Sequence, residues 1–280
     1  MTLAMRAVTL PSGTQLPVLG QGTWYLGEHP ATRESEIAAL RAGLDLGLTV
    51  IDTAEMYGDG ATEELVGAAI SGRRDEVLLV DKVMPSNASR RGTVRACERS
   101  LRRLGTDHID LYLLHWRGRY PLAETVAAFT ELVEAGKIGQ WGVSNFDMAD
   151  LSELMSVGGE ACAANQILYN LTRRGAEYDL LPWCRERGIP VMAYSPIEQG
   201  RILDQPAVLR IAARHGVSAA QVALAWALRA DGVAAIARSG DPAHVRDNAA
   251  ALQLGLTDQD LAELEEAFPP PTAARPLELL

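Results

Sequence analysis

Along this chain, short runs of consecutive apolar residues alternate with longer segments in which apolar residues recur every three or four positions. The short runs predict strands buried on both faces, since a strand with one wet face would alternate strictly. They cover Leu19–Thr23, Val50–Thr53, Val77–Lys82, Asp110–His115, Gln140–Ser144, Ala164–Gln166, Pro190–Ser195 and Ala234–Ser239. The longer segments predict helices. Glu34–Leu46 carries Ile37, Leu40 and Leu44 at helical spacing, and Thr93–Leu104 and Leu122–Ala135 behave alike. Gly105, Gly136 and Gly188 fall just before the next strand, where a helix ends on a left-handed residue.

Eight strands joined by helices, with no Pro/Gly/Ser-rich linker between halves, predict one α/β domain over residues 1–280, a closed (β/α)8 TIM barrel. The competing open, doubly wound sheet would need a G-x-G-x-x-G turn after its first strand. Gly20-Gln21-Gly22-Thr23-Trp24 does not complete that turn. Residues 1–16 precede the first strand, and Val8-Thr9-Leu10, a Ser12-Gly13 turn and Gln15-Leu16-Pro17 read as a hairpin that plugs the N-terminal mouth. Two helices, around Pro206–His215 and at Asp258–Phe268, are extra to the eightfold unit, and residues 269–280 read as an extended or mobile tail.

Composition narrows the function classes. Among 280 residues 48% are hydrophobic and 22% charged, enough for a sizeable core, and the formal net charge is −10. An acidic surface opposes nucleic-acid binding, which needs cations against phosphates, although one small cationic pocket is compatible with it. Cys97, Cys162 and Cys184 lie far apart, as buried or incidental thiols of a reducing compartment would. No apolar run approaches the ~20 residues of a membrane span, and no charged-then-apolar leader opens the chain. A cytoplasmic location and no membrane partner are expected. His29, His108, His115, His215 and His244 show no ligand spacing, so no metal is implied.

In such a barrel, polar residues at strand C-termini face the mouth. Those positions here hold Asp52, Lys82, His115, Ser144-Asn145, Gln166, Tyr194-Ser195 and Arg238-Ser239. Strands often end in a polar residue on leaving the core, but Asp, Lys and His on three consecutive strands exceed that habit. A buried lysine needs a counter-charge, which Asp52 can supply. Tyr57 lies five residues beyond Asp52. A phenol with an ordinary pKa of about 10 is a poor acid, and a neighbouring ammonium is expected to lower it. His115 can hold a carbonyl oxygen. The set suits proton delivery to an oxygen that becomes an alkoxide.

These residues sit in stretches that resemble the aldo-keto reductases over nearly the whole chain: Leu48-Thr49-Val50-Ile51-Asp52-Thr53-Ala54-Glu55-Met56-Tyr57-Gly58, Lys82-Val83-Met84-Pro85-Ser86, Asp110-Leu111-Tyr112-Leu113-Leu114-His115-Trp116, and Gly142-Val143-Ser144-Asn145-Phe146. The resemblance implies that Tyr57 donates a proton while a nicotinamide cofactor passes a hydride, with Asp52, Lys82 and His115 completing the catalytic set. It also implies that Ser144, Asn145 and Gln166 hold the carboxamide, that Tyr194 stacks on the nicotinamide, and that Ser195, Pro196 and Ile197 follow the pyrophosphate. Gly22 and Thr23 would line the cofactor path, and Trp24, Tyr25 and Trp116 would wall the substrate pocket. The plainer readings are that the tryptophans are rim aromatics, Ser144 caps the next helix, and Gln166 closes a strand.

The adenosine end departs from the family pattern. Members that choose NADPH often read Lys-Ser, then an Arg on the 2′-phosphate, then Glu-Asn on the adenine. Here Arg238-Ser239 opens the stretch, Asp247-Asn248 closes it, and His244 stands where the Arg is expected. Arg238 still binds phosphate. Asp241-Pro242 predicts a helix start whose first turn, containing His244, favours an anion. Arg246 falls on roughly the opposite face. NADPH is the expected cofactor and NADH the alternative. A small-molecule carbonyl is the expected partner, the chain being a monomer, and the brief stretch after Asn248 is expected to leave an open, broadly selective pocket. Two other functions stay open: a cofactor-binding regulatory subunit, and an aldolase using Lys82 as Schiff-base nucleophile.

Overall fold

The computed structural model describes residues 6–280; the first five residues of the expected N-terminal cap lie outside them. β1 (Ala7–Thr9) and β2 (Gln15–Pro17) pair as an antiparallel hairpin. The chain then alternates strand and helix: β3 (Leu19–Gly22), α1 (Arg33–Asp45), β4 (Val50–Asp52), α2 (Ala61–Ile70), β5 (Leu78–Val83), α3 (Arg90–Leu104), β6 (Ile109–Leu114), α4 (Leu122–Glu134), β7 (Ile138–Ser144), α5 (Met148–Ser156), β8 (Asn165–Leu168), α6 (Leu180–Glu186) and β9 (Val191–Tyr194). Both α7 (Pro206–His215) and α8 (Ala219–Ala227) precede β10 (Val233–Arg238), and α9 (Pro242–Ala250) and α10 (Asp258–Ala267) follow it. Strands β3 to β10 are parallel neighbours in order, and β10 pairs with β3 to close the barrel.

The strands match the apolar runs to within one or two residues, and the two helices beyond the eightfold repeat are α7 and α10. Gly105, Gly136 and Gly188 take φ of 65°, 68° and 64°, the left-handed conformation that lets each helix turn into the next strand. Helix starts follow their caps: Ser89 accepts from Gly92 N–H ahead of α3, and Asp241 accepts from Ala243 N–H ahead of α9 at 2.7 Å.

Because side chains alternate along a strand, each strand feeds two cores. Val80, Leu111, Leu113, Met192 and Ile236 fill the barrel interior, while Leu79, Tyr112, Val143 and Val191 face the helical layer. Leu10 and Leu16, from the hairpin, join the interior set and are 2% and 0% exposed. Burying such a side chain stabilises by roughly 1.5–3 kcal/mol, which gives the hairpin reason to sit in the N-terminal mouth. The opposite mouth is left for chemistry. After residue 268 the chain has no regular structure, yet it is tied down by an ion pair of Glu278 with Arg173 at 2.5 Å. Among the described residues no helix is long and apolar enough to cross a membrane, and the three cysteines are free and buried.

One polar group faces the helical layer from β5. Asp81 is 0% exposed and neither carboxylate oxygen has a hydrogen-bond partner. Burial, and secondarily the charge of Glu63, push its pKa well above the usual carboxylate range. A raised pKa means that this group favours the fold when protonated and that its contribution is lost as pH rises towards the folded value. Asp81→Asn should therefore gain stability over the unmodified chain with increasing pH above about 4, by up to about 1.4 kcal/mol per pH unit. Denaturant melts at several pH values measure this, and a difference that stays flat with pH would contradict it.

Candidate active site

Strand register brings the polar strand ends into one layer. Gly22 pairs with Asp52, Asp52 with Val80, Lys82 with Leu113, and Ser144 with Gln166. Lys82 has the inward phase of β5, so its amine enters the barrel and is 0% exposed. Its Nζ donates to Asp52 Oδ2 at 2.8 Å, to Thr53 O at 2.8 Å and to Tyr57 Oη at 3.3 Å. An ammonium has three protons and no acceptor, and all three are used. Asp52 is held from its other oxygen by Gln166 Nε2 at 2.7 Å, and its carbonyl accepts from Thr23 Oγ1 at 2.8 Å.

Burial tends to strip the charge from Lys82, but Asp52 and then Tyr57 outweigh it, and the net pKa is raised. The expected lowering of the Tyr57 pKa does not hold. Burial is the largest influence on the phenol, Lys82 opposes it, Asp52 adds to it, and the net direction is upward from 10.0. The sequence named the ammonium correctly as the lowering influence, but it holds no measure of desolvation. His115 is pushed well below its usual value by burial and then by Lys82, so its imidazole is neutral at neutral pH. Its Nδ1 has no partner. A buried orphan N–H is rarer than an orphan acceptor, which assigns the proton to Nε2.

Above this layer opens a cavity of about 700 Å³. Tyr25, Trp24, Tyr57, His115 and Trp116 form a continuous arc on its wall, with ring centroids 4.4, 6.5, 5.8 and 4.8 Å apart in turn. Gly22, Thr23, Ser144, Asn145, Gln166 and Tyr194 also line it. Asn145 Nδ2 donates to His115 O at 3.1 Å and to Ser144 Oγ at 3.2 Å, while Tyr194 Oη donates to Asn145 Oδ1 at 2.9 Å. Ser144 does not cap α5; Asp147 does, in a capping box. Ser195, Pro196, Ile197, Arg238 at the end of β10 and His244 in the first turn of α9 line the cavity too.

Every described non-glycine residue with positive φ lies in a loop at this mouth: Tyr25, Asp59, Asn145, Ser195, Glu198 and Gln199, at 49° to 66°. Such backbone persists only where its surroundings hold it, and it gathers at working sites.

Three expected residues lie elsewhere. Asp247 is turned to α8, accepting from Ser218 Oγ and Gln221 Nε2, each at 2.6 Å. Ser239 and Asn248 line a separate cavity of about 10 Å³ with Gln21. Arg246 is exposed on α9. Conversely, Met56, Gln199, Gly200, Ile236 and Leu280 line the main cavity and were not singled out. Met56 adjoins Tyr57 and Gln199 lies two positions beyond Ile197, whereas Leu280 reaches the wall only because the tail folds back, and no local signal marks it. Among the described residues no group of three or more His, Cys, Asp or Glu is placed to hold a metal ion.

Comparison with known proteins identifies the family. The model of the Aldo/keto reductase family matches residues 18–268. The chain is 50% identical to the methylglyoxal reductase YeaE of Escherichia coli (strain K12), over 99% of this chain and 100% of that protein. It is 34% identical to the glyoxal reductase of Bacillus subtilis (strain 168), over 92% and 91%. An aldo/keto reductase from Klebsiella pneumoniae, crystallised with NADP and acetate, superposes with a TM-score of 0.96 at 49% identity, covering 99% of this chain and 100% of that one.

The depressed pKa of His115 is directly measurable. Imidazole NMR should show no titration of this ring between about pH 8 and pH 5.5, a window that spans the ordinary value of about 6.5. A midpoint inside that window would mean the ring is charged during part of the working range.

Proposed function

This chain belongs to the aldo-keto reductase family, and we propose that it reduces small aldehydes and ketones to alcohols with NADPH, Tyr57 being the general acid. NADPH, when bound, supplies the hydride to the carbonyl carbon; the protein has to deliver a proton to the oxygen. The observation that carries the reading is the saturated ammonium of Lys82. With its three protons committed, it donates to the oxygen of Tyr57, so the phenol accepts there and its own proton is free for the cavity. The raised pKa keeps that proton in place at neutral pH. As charge develops, the buried Lys82 at 3.3 Å stabilises the phenolate. Neutral His115 donates from Nε2 to the carbonyl oxygen and orients it.

The residues fit the cofactor chemically. Ser144, Asn145 and Gln166 offer hydroxyl and amide groups to a carboxamide; Gln166 gives its amide N–H to Asp52 and keeps its oxygen as an acceptor. Tyr194 offers a ring face, and Ser195, Pro196 and Ile197 border the path with Gly22 and Thr23. Arg238 and His244, both lining the cavity, suit a phosphate. Asp247, Ser239 and Asn248 carry no role in this reading. Trp24, Tyr25 and Trp116 present apolar surface to the substrate, and no cationic side chain lines that arc, which suits uncharged carbonyls such as aromatic aldehydes and methylglyoxal. A monomer in the cytoplasm goes with this reading; the three unpaired cysteines suit a reducing compartment and bear only on location. The aldolase alternative needs a neutral lysine amine, which the raised pKa of Lys82 opposes.

Tyr57→Phe keeps the ring and removes the acid, so kcat for an aromatic aldehyde should fall by about 10²-fold or more while the dissociation constant of NADPH stays near that of the parent. Turnover at the parental rate would remove Tyr57 from the mechanism. Arg238→Ala should raise the KM for NADPH far more than that for NADH; equal changes would mean that Arg238 does not read the 2′-phosphate.

A further inference from the structure

The proton-transfer pair is assembled from two loops, one after β4 that carries Tyr57 and one after β5 that begins just beyond Lys82. A single side chain ties them together. Glu55 is 6% exposed, and its Oε1 accepts from Met84 N–H at 2.8 Å and from Asn87 Nδ2 at 2.9 Å. Its Oε2 accepts from Arg99 Nη2 at 3.0 Å, and its own N–H donates to Lys82 O at 3.2 Å. Glu55 thus contacts Lys82 itself and the residues just beyond it, from a position two residues before Tyr57.

The segment it holds does not hold itself. Asp59 takes φ of 52° between Gly58 at 53° and Gly60 at 98°; the glycines adopt this conformation freely, and Asp59 is the residue held in a costly one. A second strut helps to hold the segment. Glu63, at 0% exposure, takes Arg103 Nη1 at 2.8 Å, and a Cβ on Gly60 would lie 2.4 Å from Arg103 Cζ, so the guanidinium packs on bare loop backbone. Arg99 and Arg103 are one turn apart on the same face of α3. Residues 55–63 are therefore pinned at two points to one helix.

We propose that Glu55 is a positioning residue for proton transfer: it touches no reacting atom, and it fixes the Tyr57 loop to the loop after Lys82 so that phenol and ammonium stay within hydrogen-bonding reach. The inference rests on the reductase reading. Of the two struts only Glu55 bridges to the β5 loop, since Glu63 and Arg103 join α2 to α3.

The test measures Glu55→Gln and Glu55→Ala, as the whole chain with NADPH and an aromatic aldehyde, beside the parent. In Glu55→Ala kcat should fall about 10- to 100-fold, the size of effect that a misplacement of ~1 Å produces, with the NADPH dissociation constant changed less than about twofold. Glu55→Gln keeps the shape and one acceptor oxygen, so its kcat should lie between Ala and the parent. A second readout is the alkaline limb of kcat. The titratable groups around the phenol are Lys82, Asp52, Asp81, His115 and Tyr194, and Lys82 is the one that lowers its pKa. Retreat of Lys82 should move the limb to higher pH, whereas a merely structural role would leave it in place. If Glu55→Ala does not fold, Glu55→Gln and Arg99→Met are judged by the same two readouts. Parental kcat and an unmoved limb in folded variants overturn the proposal, as does a loss shared equally with NADPH affinity. A parent chain that turns over no carbonyl overturns the reductase reading instead, so the two failures are distinct.

Discussion

A lysine ammonium inside a closed barrel is the constraint on which this structure turns. Taking one such charge out of water costs several kcal/mol, recovered only when a counter-ion and enough acceptors surround it. Lys82 meets that condition through Asp52, Thr53 O and Tyr57, and Asp52 in turn is braced by Gln166. Removing one partner of a buried pair leaves the other uncompensated, at about 3–5 kcal/mol. Chemistry and stability therefore share the same atoms. The layer that closes the barrel below the C-terminal mouth is also the layer that presents the phenol.

Around that one compensated pair the other groups are held neutral. Desolvation acts on Lys82, Tyr57 and His115 in the same sense, against charge, and of these three Lys82 alone has partners strong enough to reverse it. Tyr57 keeps its proton and His115 sheds one. The result is two neutral donors beside a fixed positive charge, an arrangement with little to reorganise when an oxygen turns anionic. Strain is concentrated at the same mouth, in loops whose left-handed residues are braced by buried carboxylates such as Glu55 and Glu198.

Much of this was legible along the chain, for identifiable reasons. Continuous apolar runs mark strands covered on both faces, and a polar residue ending such a run has little choice but to enter the mouth, which is how Asp52, Lys82 and His115 declare themselves. Asp247 was named through the family resemblance and not through strand-end position. On a helix, one residue of phase decides between a cavity and a neighbouring helix, and Ser218 and Gln221 on α8 captured its carboxylate.

By itself, then, the sequence determined the order of elements, the closure of the barrel and the identity of the residues at its mouth, because periodicity and strand-end position are properties of short stretches. What only the tertiary structure decided depends on groups distant in the chain: the sign of the Tyr57 shift, which is a contest between burial and charge; the approach of Leu280 to the cavity; and the bridging of two loops by Glu55. Each is set by a sum over neighbours in space, and no local pattern of residues contains that sum.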